Sequence, residues 1–411
     1  MSFQQGLSGL NSSSKALDVI GNNVANANTV GFKSAEVHFS DVYANSLSGG
    51  GASQVGIGAT LSAVQQQFSQ GNVTTTNNPL DISINGGGFF RMSQSGSITY
   101  TRNGQFHLDN SGYVVNDQQF RLMGYPADSN GLISASNPVE LQLSSSQIQP
   151  RATSAALAGD VTAQLNLDSR QDVPALSPFD FNNSKTYNYS TALSVYDTLG
   201  VSHNVTLYFE RASTGGPWNV HATMDGANPQ TVGTGLAFNT SGVLTTAMPI
   251  ALPSWALTSG AVTPWSPGNI NFTGTTQYGS ASSVNSLTQG GYSTGSLSGL
   301  SVGKDGVVQG RYSNGQTRNL GQVVLSTFAN PNGLQSLGNN QWALTPDSGP
   351  ELVSAPGTGS RGVLQSASIE ESNVDLTAEL VKMITQQRNY QANAQSIKTQ
   401  DQIMQTLVNL R

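Results

Sequence analysis

Cysteine is absent from all 411 residues, so no disulfide framework, thiolate metal site or cysteine nucleophile exists in this chain. Charge is scarce: Asp, Glu, Lys and Arg make up 10% of residues, against about 25% in ordinary soluble domains. The net charge is −6 and no two basic residues are adjacent, which argues against nucleic-acid binding through a basic patch. No stretch approaches the run of about 20 apolar residues that spans a bilayer, so no membrane insertion is expected. The opening MSFQQGLSGLNSSSKALDVIG has no charged segment followed by an apolar core, so it does not read as a secretory signal peptide, and a chain that leaves the cell would do so without a cleaved signal peptide. Catalytic signatures are missing too. The four histidines (His38, His107, His203, His221) are scattered, and no nucleophile elbow or P-loop occurs. The glycine cluster Asn85-Gly86-Gly87-Gly88-Phe89 leads from strand to strand, where a phosphate cradle needs a helix N-terminus. No enzyme activity, cofactor or metal is expected; the Asp109 turn lacks the further acids of a calcium loop.

What is present begins at the two ends. From Asn373 to Arg411 there is neither Gly nor Pro, and Leu376, Met383, Tyr390, Ile397 and Met404 recur every seven residues. Leu380, Ala394 and Val408 sit at the offset that completes a heptad seam, which Gln387 and Asp401 interrupt. A helix over 375–410 would be roughly 54 Å long, and so needs a long partner or several short ones. At the other end Phe3, Leu10, Leu17 and Val24 keep the same spacing, with Leu7 at the offset and Ile20 broadening the stripe. The two seams can pair, although an ordinary amphipathic helix lying on its own domain fits the same periodicity. Gly6, Gly9 and Gly21 weaken the first helix, by up to about 1 kcal/mol each.

Between the ends the pattern is β. Residues 31–72 and 358–369 read as an extended linker region with short strands. Alternating runs at 80–84, 88–92 and 97–100, with turn signals at Asn103-Gly104 and Asp109-Asn110-Ser111-Gly112, open an inner β-domain over 73–145 that resumes at 287–357. Residues 146–286 are richer in Ser, Thr, Asn and Pro and hold Trp218, Trp255 and Trp265. There Thr191–Tyr196 and Val205–Phe209 flank Asp197-Thr198-Leu199-Gly200 as a hairpin. The expected class is multidomain α+β, mostly β. Paired, coiled-coil-like terminal helices (1–30 with 370–411) carry two nested antiparallel β-domains on an out-and-back chain path.

GNNVANANTVGFKS, holding Asn22, Asn23, Asn26, Gly31, Phe32 and Lys33, resembles the N-terminal signature of the bacterial flagellar axial proteins, the rod and hook family. ESNVDLTAELVKMITQQRNYQANAQSIKTQDQIMQTLVNLR resembles the matching C-terminal signature, and INGGGFFRM, YTRNGQFHLDNSGYVV and RLMGYPA resemble the family's first β-domain. The resemblance implies a self-assembling structural subunit of the flagellum. The inserted domain at 146–286 favours the hook branch, a curved tube acting as a universal joint, over the distal rod branch. It further implies the chain itself as main partner, with the distal rod, hook cap and hook–filament junction proteins and the type III export apparatus. A secreted β-rich adhesin and an extracellular hydrolase are the readings from other classes.

Overall fold

The computed structural model describes residues 2–42, 56–144, 146–154, 161–233 and 235–409. The chain forms two compact units, one of residues 1–144, 299–311 and 317–411, the other of 145–298 and 312–316. The first therefore holds both ends of the chain.

Helix α1 runs Ser2–Ala25 and helix α2 Leu376–Asn409. The Asp375 carboxylate accepts the Ala378 N–H and so caps α2. After α1 the chain turns at Gly31, whose φ is 72° and whose hypothetical Cβ would lie 2.6 Å from the Asn103 backbone nitrogen. Only glycine fits both demands.

Strands β1 (Ala35–Val42) and β2 (Gly58–Gln66) then pair antiparallel and lie beside α1. The Ser8 hydroxyl donates to the Ala59 carbonyl and accepts the Ala59 N–H at 2.7 Å. Eight- and nine-residue strands replace the short ones expected here. Their apolar residues Phe39, Leu61 and Val64 are exposed, so no buried face announces them in the sequence. The returning stretch at 358–369 is also built into sheets: Val363–Ser366 pairs with Ile82–Asn85, and Ser368–Glu370 with Val73–Thr75.

The body of this unit is antiparallel. Phe89–Gln94 and Ser97–Thr101 form a hairpin in register Phe90↔Thr101 and Met92↔Thr99, turning on Ser95 and Gly96 at positive φ. Ile82, Ile84, Phe90, Met92, Leu122, Val323 and Leu325 fill one core, and an aromatic group of Phe89, Tyr100, Phe328 and Trp342 fills a second. The Asp109 carboxylate is taken up by the N–H groups of Ser111 and Tyr113 at 2.8 Å, an Asx turn.

The second unit contains two four-stranded sheets. One has Tyr189–Tyr196, Ser202–Arg211, Trp218–Met224 and Ala227–Thr231 in chain order; the other orders Ile250–Ala251, Asn269–Asn271, Val161–Asn166 and Ser283–Thr288. Inward residues of both, among them Ala163, Leu165, Val205, Leu207, Phe209, Trp218 and Phe272, make one core. The hairpin expected around 197–200 is present, with Tyr196 opposite Ser202 and the Asp197 carboxylate accepting the Leu199 and Val201 N–H groups. Ser283–Thr288 pairs with Val161–Asn166, so the chain stays in this unit past 286, the boundary expected from composition. Leu207 is fully buried in this core. Leu207→Ala should lower the stability of this unit by about 2–5 kcal/mol, read from the urea midpoint of tryptophan fluorescence.

Candidate assembly interface

The face that α1 turns toward α2 is made of small residues. Gly6, Ser13, Ala16, Ile20 and Asn23 are buried, with Gly9 half-buried, in alternating steps of three and four. A Cβ on Gly6 would lie 2.9 Å from Ile397 Cγ1, and one on Gly9 2.7 Å from Asn393 Nδ2. The glycines that weaken α1 as an isolated helix are what lets α2 come close.

This seam differs from the one expected. Ile20 is buried, and Leu10, Leu17, Val24, Met383, Ala394 and Ile397 are half-buried. Phe3, Leu7, Leu376, Leu380, Tyr390 and Met404 are exposed, Phe3 by 52% and Met404 by 61%. The side chain of Val408 lies outside the described residues. On α2 the buried or half-buried positions include Glu379, Gln386, Asn393 and Gln400, again seven apart. The physical reason is that small and amide side chains set the closest approach, while a search for large apolar residues finds the stripe beside it.

Two polar anchors hold the base of the pair. Asn23 donates to the Ala35 carbonyl and accepts the Ala35 N–H, both at 2.9 Å, and reaches Glu379 Oε2 at 3.2 Å. Asn26 donates to the Asn22 carbonyl at the end of α1. Asn373 accepts the Ser34 N–H and donates to the Gln67 carbonyl, both at 2.7 Å, which joins the start of β1, the end of β2 and the approach to α2.

The second anchor is ionic. Lys33 Nζ lies 2.6 Å from Glu370 Oε1, with both side chains fully buried, and donates to the Ser69 carbonyl at 2.7 Å. Arg102 Nη1 stands 3.4 Å from Glu370 Oε2, while Nη2 donates to the Gly86 carbonyl. The Gly71 N–H donates to Glu370 Oε1 and the Gly31 N–H to the Glu370 carbonyl. Burial pushes the Lys33 ammonium below its ordinary pKa, although Glu370 pulls it back up. Lys33, Arg102, Asn373 and Glu379 all stand in stretches that resemble the family, whereas Glu370 lies one residue outside the C-terminal one. In so charge-poor a chain, acids next to a terminal signature were the available signal.

Models of four families match the chain: "Flagella basal body rod protein" at 3–33, "Flagellar hook protein FlgE/F/G D1 domain" at 83–161, "Flagellar basal body protein FlaE D2 domain" at 166–292 and "Flagellar basal body rod FlgEFG protein C-terminal" at 365–410. The flagellar hook protein FlgE of Escherichia coli (strain K12) is 40% identical, with 100% of both chains covered. The chain belongs to the flagellar hook protein family. The FlgE of Borreliella burgdorferi is 30% identical over 100% of this chain and 99% of its own. The crystal structure of Helicobacter pylori flagellar hook protein FlgE2 shares the fold, with TM-score 0.52 at 13% identity, covering 72% of this chain and 100% of that one. As a hook protein the chain is a structural subunit of the flagellum. The distal rod and adhesin readings are not favoured, because hook proteins match the whole chain, second unit included.

Removing one partner of a buried ion pair costs about 3–5 kcal/mol. Glu370→Gln leaves two buried cations without their anion, whereas Lys33→Met leaves the Arg102–Glu370 contact. Urea unfolding should show Glu370→Gln as the more destabilised variant.

Proposed function

We propose that this hook subunit builds a curved tube that works as a universal joint, passing motor torque to the filament. The observation that carries the reading is the large apolar surface left open on the helix pair of a single chain: Phe3, Leu7, Leu376, Leu380, Tyr390 and Met404. Exposed apolar residues grouped on one element mark a surface for another protein, and in a self-assembling family that protein is another copy. We assign these residues, with Leu10, Leu17, Ile20, Val24, Met383, Ala394 and Ile397, to the helix seam and the contacts between copies.

The helical ends (1–30 with 370–411) form the inner wall, the inner β-domain surrounds it, and the inserted β-domain lies outermost. The helices hold the tube and the charge-poor outer domain slides on its neighbours as spacing changes during rotation. Amides such as Gln387, Asn389, Gln391 and Gln395 on the exposed face of α2 both donate and accept, which makes contacts insensitive to salt and pH. The chain reaches its place through the type III export apparatus, meets the distal rod protein at the base and the junction protein at the far end, and grows beneath the hook cap protein.

Ile397→Asp places a charge against Gly6 and should abolish tubes in electron micrographs while near-UV circular dichroism of the second unit's tryptophans is kept. Excising 146–298 should leave tubes that form but no longer curve. Normal curved tubes from either variant would contradict the assignment.

A further inference from the structure

A polar cleft of about 450 Å³ lies within the first unit, between the end of α1, the loop that follows it and the turn at Asn339 and Asn340. Its walls include Asn22, Lys33, Gln66, Asn103 and Gln118 and, among the described residues, no Asp or Glu. The amides of these walls are turned one way. Gln66 Oε1 accepts the Trp342 Nε1–H at 2.6 Å, and Asn103 Oδ1 accepts the Gln105 N–H at 3.0 Å. Indole and backbone N–H groups only donate, so both amide orientations are fixed. Gln118 Oε1 accepts from Asn116 and Gln341; the Asn116 oxygen takes the Gln118 and Phe120 N–H groups, which leaves only its NH2 to face Gln118. Asn22 Oδ1 accepts from Asn26, whose NH2 also reaches the Asn22 carbonyl. Each of the four spends its oxygen inside the fold and keeps an NH2 group with no partner among the described residues.

The backbone acceptors beside the cleft are spent as well. The carbonyls of Asn22, Val24, Asn26 and Thr29 take the N–H groups of Asn26, Ala27, Thr29 and Phe32, and that of Val30 takes Asn340 Nδ2. Asn340 keeps an open amide oxygen and Asn339 an open oxygen and NH2, so donors outnumber acceptors. Lys33 belongs both to this wall and to the buried trio with Arg102 and Glu370, where two cations face one anion. The trio thus adds a net positive charge to a lining already biased toward donors. We infer that the cleft is a binding site for a small polycarboxylate, whose ionised oxygens only accept and so match the open NH2 groups. Its volume suits a molecule rather than a lone ion. Bound there, the ligand bridges the root of α1 to the β-body and stabilises the first unit.

Citrate is the probe. Titrated calorimetrically into the full chain at constant ionic strength, it should bind at one site, whereas the uncharged glycerol should give no binding. Asn103→Asp and Gln118→Glu keep the oxygens that accept inside the fold and replace each open donor by a charged acceptor. Together they should weaken citrate binding by about tenfold or more, with the far-UV circular dichroism of the unmodified chain. Absence of citrate binding to the unmodified chain, equal binding of glycerol, or unchanged affinity in the folded double variant overturns the site. If the double variant does not fold, Gln118→Glu alone, at an exposed position, is titrated in its place and read by the same two outcomes.

Discussion

The buried carboxylate of Glu370 is the constraint on which the first unit depends. It holds Lys33 from the outgoing chain and Arg102 from the β-body, and takes the Gly71 N–H as well. Residues 33 and 370 are 337 apart in sequence. Closing so long a loop costs only slightly more than closing one of half the length, so the distance is tolerable. What is costly is burying three charges, and good geometry on each is what makes the cluster specific. The cluster works as a registration point: outgoing and returning strands meet there in one arrangement, and the helices emerge side by side from it.

Much of this architecture was legible beforehand. Both helices, the hairpin at 196–202 and the strands at 82–94 follow from periodicity and turn chemistry, since each has a large apolar face and a marked boundary. The β1–β2 hairpin was not, because Phe39, Leu61 and Val64 are exposed and its alternation points at no core. The edge of the second unit escapes the sequence for a related reason. Composition changes near 286, but the pairing of Ser283–Thr288 with Val161–Asn166 does not respect it.

The interface was half legible. Large apolar residues at heptad spacing correctly mark the helices as partners, yet the seam inside one chain belongs to Gly6, Gly9, Ser13 and Ala16. A glycine in a helix reads as a defect until something is found to pack on it, and here Ile397 and Asn393 do so. The apolar stripe beside the seam stays exposed on a single chain and is the surface proposed for other copies. Sequence periodicity cannot separate these two uses of one repeat, because both obey the same spacing.

The small-residue seam has a mechanical consequence. Polar bonds from Asn23 grip the pair at its base, near Glu379, whereas the opposite end rests on glycines that offer no side chain of their own. At that end Ile397 and Asn393 of α2 sit in the glycine notch while Ser8 ties α1 to Ala59 of β2, so a lengthwise shift of α2 on α1 would have to lift those two side chains out of the notch.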